Sequence, residues 1–466
     1  MKACLQTWTV ILICLISGPM LLPAADTVVL ITDDRLTLRA NDQELSDILG
    51  RLSDQGIRIR IDPRINPQIT ASFDNRPIGS AIAGMLKSVD YALIWEKDRH
   101  SPTDRPRLRE IRIFFKGQEA RVQPLEKDVN LTVVQEADGT YHVKDTLLVQ
   151  LDPDMTDASL AAMLDRLGAS VIDGYAPLGI LRLRLPHGSD VPAIAGQMAH
   201  EPGIRNAEPD YAYPLQGSDP GPKRPEAKPS APALTPSTGT TVVAILDSGL
   251  RAGYADSPFV QAVYDAVSHE AKAGDELGHG TQMTLIASGA VNPLGSDSDM
   301  PEGSPIVAVR AFDDNGFTST YTLMRGIDYA IEKGARVLSL SWGSDRDSLL
   351  LESATRYAAA KGLILVAAVG NAPTGKPVYP AAYENVIGVG ALTPDGEMWN
   401  RSNFGDFVAL SAPGTADLPV GYQGDPGIYA GTSIAAAYTA RRVAAILDQH
   451  PEADRATILR LLGESN

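Results

Sequence analysis

Residues 240–249, TTVVAILDSG, connect a run of apolar and β-branched residues directly to an acid, Asp247, and a glycine. A nearly continuous apolar run is typical of a parallel strand that helices cover on both faces. Similar runs follow at 306–312, 336–342, 363–370 and 386–392, with helical patterns at 319–334 and 348–362. This alternation predicts an α/β domain at 240–466, built on a doubly wound, mostly parallel sheet.

Four polar residues occupy positions where such a sheet carries chemistry, because ligands and catalytic groups lie at the carboxyl ends of parallel strands. Asp247 and Asn371 each end an apolar run, and His279 opens a helical pattern. Ser433 lies in AGTSIAAAYTARR (430–442), inside the first turn of a predicted helix, beside backbone N–H groups that lack an intrahelical partner. Taken singly, each residue also fits a helix cap, a turn or a structural hydrogen bond.

The composition is that of a globular, core-forming protein whose length suggests about three domains. Of its 466 residues, 44 % are hydrophobic and 21 % are charged, and the formal net charge is −16. A surface this acidic disfavours nucleic acid and anionic lipid as partners.

The first 25 residues are typical of a signal peptide. Lys2 gives a short positive start, an apolar stretch follows at 10–22, and small residues end at Ala25, where we predict cleavage. Both cysteines of the chain, Cys4 and Cys14, lie inside this leader. We therefore expect an exported protein, periplasmic or secreted, without disulfides and without an integral membrane segment after cleavage.

Residues 26–118 alternate short strands with two amphipathic helical patterns, which predicts a small α+β domain. Asn41 and Glu44 have the spacing of a capping box, so we expect the first helix to begin there. The phrases LTLRANDQELSDIL (36–49) and ITASFDNRPIGSAIAGML (69–86) resemble the short N-terminal domain shared by secretins and TonB-dependent transducers. The resemblance implies an envelope protein partner for residues 26–118. A packing domain without a partner is the alternative.

Residues 145–215 follow the order βαββαβ, which predicts a ferredoxin-like domain. Its last phrase, GIRNAEPDYAY (203–213), resembles the propeptide of subtilisin-like proteases and implies an inhibitory propeptide. The segment 216–239 is rich in proline and small residues, so we predict an extended linker that is open to proteolysis. Between residues 118 and 145 the chain is polar and poorly patterned, which indicates a connector.

The C-terminal domain resembles the subtilase family, whose catalytic residues follow the chain order Asp, His, Ser. The similar phrases extend over nearly all of 241–447: ILDSG, GHGTQ, SLSWG, AAVGN, YPAAYENVIGVGAL, RSNFGDFVALSAPG and GTSIAA. The resemblance implies a serine endopeptidase in which Ser433 attacks the peptide carbonyl and His279 carries its proton. It also implies that Asp247 orients the imidazole, and that Asn371 and the backbone N–H of Ser433 stabilise the oxyanion.

The same resemblance implies a set of substrate-binding residues. It places a substrate-pairing edge strand at 341–343, a pocket for the residue before the cut at 367–370, and the opposite rim of the cleft at 314–320. The residues so assigned are Ser341, Trp342, Gly343, Gly316, Ala368 and Gly370. Relatives more often have a small or aliphatic residue at position 342, so Trp342 predicts an altered specificity pocket. A tryptophan buried in the core is the alternative.

Some residues depart from the family pattern, namely Gln282, Val369, Ala437, Tyr438 and Arg441. None of them removes a proton carrier or an oxyanion donor, so they bear on helix packing and substrate choice. They leave open a catalytically inert subtilisin-fold protein that binds or signals in the envelope. A secretin or transducer component is a further alternative.

No cofactor is expected, since no cluster of His, Cys, Asp or Glu has metal-ligand spacing. Subtilases often hold structural calcium, and the acidic stretch GSDSDMPEG (295–303) either binds one or is a solvated loop. The prediction as a whole is an exported serine endopeptidase, made as a zymogen, that cleaves itself between Tyr213 and Gly239. Its expected partners are polypeptide substrates and its own propeptide.

Overall fold

The computed structural model describes residues 28–32, 35–53, 57–62, 64–86, 89–97, 106–125, 130–217, 219–220, 239–268, 274–296 and 303–464. The chain divides into two compact units, residues 1–127 and 128–466. The leader predicted at 1–25, residues 221–238 of the predicted linker and residues 297–302 of the acidic stretch lie outside the described residues. Within the described part of the chain, no helix is long and apolar enough to cross a bilayer.

The N-terminal unit is an α+β domain that contains a three-stranded and a four-stranded sheet. Its elements are β1 (Val28–Thr32), β2 (Arg35–Glu44), α1 (Leu45–Ser53), β3 (Arg58–Ile61), β4 (Gln68–Pro77), α2 (Ile78–Met85), β5 (Asp90–Lys97), β6 (Pro106–Phe114) and β7 (Gln123–Pro124). The strand orders are β1-β2-β4 and β5-β6-β3-β7. One apolar core joins both helices to the strands.

The first helix begins later than the capping-box spacing predicts. Asn41 and Glu44 belong to β2, which pairs with β4 on either side of an irregularity that includes Asn41, and α1 starts at Leu45. The N–H groups of Leu45 and Ser46 donate to the Pro67 carbonyl at 3.0 Å and to Asn66 Oδ1 at 2.9 Å, so tertiary contacts replace the capping box. The helix buries the stripe that the periodicity predicts, Leu45, Ile48, Leu49 and Leu52.

The ferredoxin-like domain has the predicted order of elements. They are β8 (Val133–Gln135), β9 (Tyr141–Leu151), α3 (Asp157–Leu167), β10 (Ser170–Tyr175), β11 (Ile180–Arg184), α4 (Val191–Met198) and β12 (Ile204–Pro214). The strands β10-β11-β9-β12 form an antiparallel sheet, and β8 pairs with β9. Strand β8 and the start of β9 lie in the segment that we predicted to be a connector. Their hairpin turns at Gly139, which has a φ of 88°.

The C-terminal domain is built on a seven-stranded parallel sheet. The elements from β13 to the end of the chain are β13 (Asp219–Pro220), β14 (Val243–Asp247), α5 (Ala252–Ala255), β15 (Val260–Asp265), α6 (His279–Ala287), β16 (Ile306–Arg310), β17 (Phe317–Ser319), α7 (Thr320–Glu332), β18 (Val337–Leu340), α8 (Leu349–Ala360), β19 (Ile364–Ala368), β20 (Val386–Leu392), β21 (Leu410–Pro413), β22 (Thr415–Leu418), β23 (Gly427–Ala430), α9 (Thr432–Gln449) and α10 (Arg455–Glu464). The strand order of the parallel sheet is β15-β16-β14-β18-β19-β20-β21.

Helices cover both faces of this sheet, as the apolar runs predict. Ala244 and Leu246 of β14 pack in one apolar cluster with α7 and α8. Val243 and Ile245, which alternate with them, pack in a second cluster with α6 and α9. The alternation places the catalytic candidates at the carboxyl edge, between the two helical layers.

Candidate active site

Asp247 and His279 meet where strand β14 ends and helix α6 begins. Asp247 is the last residue of β14, His279 is the first residue of α6, and both are fully buried. His279 Nδ1 lies 2.7 Å from Asp247 Oδ1, which also accepts the backbone N–H of Ser248 at 2.7 Å. A carboxylate at Nδ1 favours the tautomer whose Nε2 accepts a proton. The pair therefore has the orientation that general-base catalysis requires.

A buried carboxylate that the sequence analysis did not single out fixes the loop before His279. Asp275 Oδ1 accepts the hydroxyl of Ser248 at 2.7 Å and the N–H of Gly278 at 2.8 Å. Ser248 Oγ in turn accepts the N–H of Gly280 at 2.8 Å. These bonds tie the end of β14 to the first turn of α6, so Asp275 holds the histidine beside its carboxylate partner. In the sequence it is only one of several loop acids.

Ser433 is the second residue of α9, which places it inside the first helical turn as predicted. Its hydroxyl donates to the backbone carbonyl of Ser341 at 2.9 Å. Among the described residues, His279 Nε2 has no hydrogen-bond partner. The structure therefore places the hydroxyl in a resting orientation, and the bond from serine to histidine is not made in it. Catalytic hydrogen bonds commonly form only when the reacting complex assembles.

Thr432, which the sequence analysis did not single out, orients Asn371. Its Oδ1 accepts both the N–H and the hydroxyl of Thr432, at 3.0 and 2.9 Å. Thr432 Oγ1 also accepts the N–H of Gly370 at 3.1 Å. Because Oδ1 is occupied in this way, the Nδ2 of Asn371 remains as a donor toward the cleft. Thr432 directly precedes the candidate nucleophile Ser433, and this position is the feature of the sequence that could have indicated its role.

The end of β12 and the residues after it run across this site, and we call residues 212–217 and 219–220 the tail. Residues 212–214 of the tail pair antiparallel with β17, and Leu215 donates its N–H to the carbonyl of Gly316 at 2.8 Å. Asn371 Nδ2 donates to the carbonyl of Gly217 at 3.3 Å. Beyond it, residues 219–220 pair with β23. A stretch of the chain itself thus lies in the cleft in an extended form, with one carbonyl at the candidate oxyanion donor.

The predicted substrate-binding residues lie around the tail. Among the described ladders, its pairing strand is β17 on the Gly316 rim, and none joins it to 341–343. Trp342 is only 2 % exposed, and its ring stacks on Tyr213 of the tail at a centroid distance of 5.5 Å. Trp342 is therefore buried as the core alternative requires, yet it also lies against the segment that occupies the cleft. Ala368 ends β19 and is buried.

A cavity of about 310 Å³ opens beside the tail, where the pocket for the residue before the cut was predicted. Gly343 and Gly370 line it, together with Gln216 of the tail, which precedes the residue whose carbonyl faces Asn371. Val378 closes this region, since a Cβ on Gly343 would lie 2.4 Å from its Cγ1. Lys376 also lines the cavity, so its wall is partly cationic.

The ferredoxin-like domain holds two helices of the C-terminal domain by their N termini. Glu208 accepts the Ser348 hydroxyl at 2.6 Å and the Leu349 N–H at 2.8 Å, at the start of α8. Asp210 accepts the Tyr321 N–H at 3.1 Å, at the start of α7. Carboxylates are favoured at these positive helix ends. Burial nevertheless raises the pKa of both Glu208 and Asp210, because it disfavours the charged form.

The residues that depart from the family pattern lie in packed surroundings. Val369, Ala437 and Tyr438 are all buried. Gln282 Nε2 donates to the carbonyl of Val420 at 2.8 Å, and Arg441 Nη1 donates to Asn292 Oδ1 at 2.7 Å. Burial lowers the pKa of Arg441. In the part of the chain that the structure describes, no three His, Cys, Asp or Glu side chains form a group that could hold a metal ion.

Comparison with protein-family models gives two matches. Residues 238–465 match the subtilase family, Peptidase_S8, and residues 128–210 match the Fervidolysin N-terminal prodomain. The second match begins before the predicted propeptide boundary and includes β8, which the sequence analysis assigned to a connector.

Known proteins are similar over the same regions. The minor extracellular protease Epr of Bacillus subtilis is 38 % identical over 180 residues, which are 38 % of this chain and 27 % of that protein. Subtilisin of Bacillus pumilus is 30 % identical over 228 residues, which are 47 % of this chain and 82 % of that protein.

A crystal structure of fervidolysin from Fervidobacterium pennivorans, a keratinolytic enzyme related to subtilisin, superposes with a TM-score of 0.55 at 22 % identity. The match covers 72 % of this chain and 59 % of that one. The chain thus spans less than two thirds of Epr and of fervidolysin, whereas it covers most of the Bacillus pumilus subtilisin. The fold prediction is confirmed, and the chain belongs to the subtilase family.

Proposed function

We propose that the protein is a serine endopeptidase made as a zymogen, which hydrolyses peptide bonds through an acyl-enzyme on Ser433. The observation that carries this proposal is the tail, which lies across the site with the carbonyl of Gly217 at Asn371 Nδ2, 3.3 Å away. An oxyanion donor must face the carbonyl that is attacked. We therefore assign the processing cut to the peptide bond that follows Gly217.

The residues divide the chemistry as follows. His279 takes the proton of the Ser433 hydroxyl while the oxygen attacks the carbonyl, and it later gives that proton to the leaving amine. Asp247, bonded to Nδ1, stabilises the imidazolium between these two steps. Asn371 donates to the oxyanion of each tetrahedral intermediate. Water then hydrolyses the acyl-enzyme: His279 takes a proton from the attacking water and returns it to the Ser433 oxygen as the acid product leaves.

Self-processing is tested with Ser433→Ala, for which Ser353→Ala on helix α8 is the matched control. Ser433→Ala should accumulate as the full precursor, whereas the control should mature with Ser218 as its new N terminus. Maturation of Ser433→Ala at the normal rate would refute self-processing, and a mature N terminus at Gly217 would refute the assigned bond.

The catalytically inert alternative is separated by a fluorophosphonate probe, which reacts only with an activated serine. The probe should label Ser433, and His279→Ala should abolish the labelling because the hydroxyl loses its base. A protein whose Ser433 is never labelled would be inert. The inert alternative is not favoured, since the departures from the family pattern leave all four proposed catalytic groups in place.

The leader at 1–25 and the domain at 26–118 support the remaining parts of the proposal. The leader directs export to the periplasm or the medium, and the N-terminal domain docks on an envelope protein. Residues 1–40 fused to an alkaline phosphatase that is active only after export should give phosphatase activity. Deleting the apolar stretch at 10–22 should abolish that activity. If it does not, the leader is not an export signal.

A further inference from the structure

At Gly217, any side chain would overlap the ring of Tyr422. A Cβ built on Gly217 would lie 1.9 Å from Cε1, 2.2 Å from Cδ1 and 2.3 Å from Cζ of Tyr422. The φ of Gly217 is outside the left-handed region, so its backbone conformation does not call for glycine. The requirement for glycine at this position comes from the ring of Tyr422, to which the three atoms nearest to the Cβ belong.

The ring of Tyr422 is partly buried and packs against the catalytic candidates. It contacts the imidazole of His279 edge-on, at a centroid distance of 5.7 Å and an interplanar angle of 77°. It also packs against both apolar clusters of the C-terminal domain. A shift of the ring toward His279 would displace the proposed general base.

The loop that carries Tyr422 is fixed on both sides. Gln423 donates its N–H to the carbonyl of Leu277 at 2.8 Å, and Val420 accepts from Gln282 Nε2 at 2.8 Å. Both bonds reach the segment around His279, so the loop is held against the start of α6. Gln282, one of the residues that depart from the family pattern, thus helps to position the loop.

We propose that Tyr422 determines specificity by selecting glycine at the residue whose carbonyl faces Asn371. The substrates are then extended polypeptides with glycine directly before the scissile bond, and the tail is the first of them. The inference rests on the proposed function, because it names the substrate class of that same site. A side chain at this position would meet the Tyr422 ring in the complex from which Ser433 attacks.

The test compares two internally quenched peptides with the tail sequence YPLQGSDP, one with its glycine and one with alanine in its place. Mature wild-type enzyme should cleave the glycine peptide with a kcat/KM about 10–100-fold higher, as expected for an overpacked contact. Tyr422→Ala should reduce this ratio to near one. Tyr422→Phe keeps the ring and should keep the selectivity. Equal rates for both peptides in the wild-type enzyme would overturn the inference, as would full selectivity in Tyr422→Ala.

A second measurement uses the intact chain, and its first variant leaves Tyr422 unchanged. Gly217→Ala should slow maturation, and adding Tyr422→Ala should restore it. Maturation of Gly217→Ala at the wild-type rate would sink the inference. Fluorophosphonate labelling of Ser433 separates the two levels: absence of labelling overturns the proposed function, whereas labelling without discrimination between glycine and alanine overturns only this inference.

Discussion

Thr432→Val tests whether the amide of Asn371 acts as an oxyanion donor because Thr432 holds it. Asn371 Oδ1 accepts two bonds from Thr432, one from the backbone and one from the hydroxyl, at 3.0 and 2.9 Å. Valine keeps the shape and the backbone bond but removes the hydroxyl bond to Asn371, which is worth about 1 kcal/mol. It also removes the acceptor of the Gly370 N–H, which holds the residue before Asn371. An amide that is held less firmly lowers kcat by about 5–10-fold, since about 1.4 kcal/mol corresponds to tenfold. Removing the donor itself, with Asn371→Leu, should cost about 10²–10³ in kcat.

The assay measures kcat and KM on the glycine peptide, with enzyme concentration fixed by fluorophosphonate titration. Thr432→Ser retains the hydroxyl and is the matched control, so its kcat should stay near the wild-type value. In the Asn371→Leu background, Thr432→Val should have no further effect on kcat, because the threonine acts through the asparagine. An unchanged kcat in Thr432→Val, or an equal loss in Thr432→Ser, would refute the reasoning. Additive losses in the double variant would refute it too.

Three further predictions concern the loop before His279 and the hold of the ferredoxin-like domain. Asp275→Asn should lower kcat about tenfold with little change in KM, because weaker hydrogen bonds to the loop hold the His279 imidazole less firmly in place. The control Asp256→Asn, on the surface, should change neither constant. Glu208→Ala removes hydrogen-bond acceptors at the start of α8, which should weaken docking of the ferredoxin-like domain by about 1–2 kcal/mol. The lag before activity appears should therefore shorten by about 5–30-fold. Burial raises the pKa of Glu208 and Asp210 in the docked state, so docking is strongest below their ordinary values of 4.5 and 3.8 and weakens as pH rises through the raised values. The lag should therefore shorten with rising pH, and a lag of Glu208→Gln that depends on pH as strongly as the wild-type lag would speak against Glu208.

The α/β domain was predictable because its signals are strong and local. The named apolar runs became β14, β16, β18, β19 and β20, all buried inside one parallel sheet. The two outer strands were not predicted, for a physical reason. Strands β15 (VQAVYD) and β21 (LSAP) lie at the two edges of the sheet, where burial is partial and polar residues are tolerated. Edge strands carry a weaker apolar signal than central ones.

The candidate site was predictable only where residue type and chemistry coincide. Four residues carry groups that could do the chemistry themselves, and the sequence therefore indicated them as candidates: Asp247, His279, Asn371 and Ser433. The residues that it missed act through others, and their partners are distant in the chain. Tyr422 is an example: its role depends on Gly217, and nothing in either local sequence points to the other.

If the cut follows Gly217, the architecture predicts that the cut does not by itself free the cleft. On the side after the cut, residues 219–220 are held by a two-residue pairing with β23 and by an ion pair between Asp219 and Arg401 at 2.8 Å. On the other side, β12 pairs with both β9 and β17, so the residues before the cut belong to a sheet that spans the ferredoxin-like domain and the cleft rim. The new N terminus can therefore leave while the rest of the tail stays in place. Inhibition then ends when the ferredoxin-like domain is released or degraded. The contacts of Glu208 and Asp210 with the helix ends oppose that release, and they therefore set the time at which activity appears.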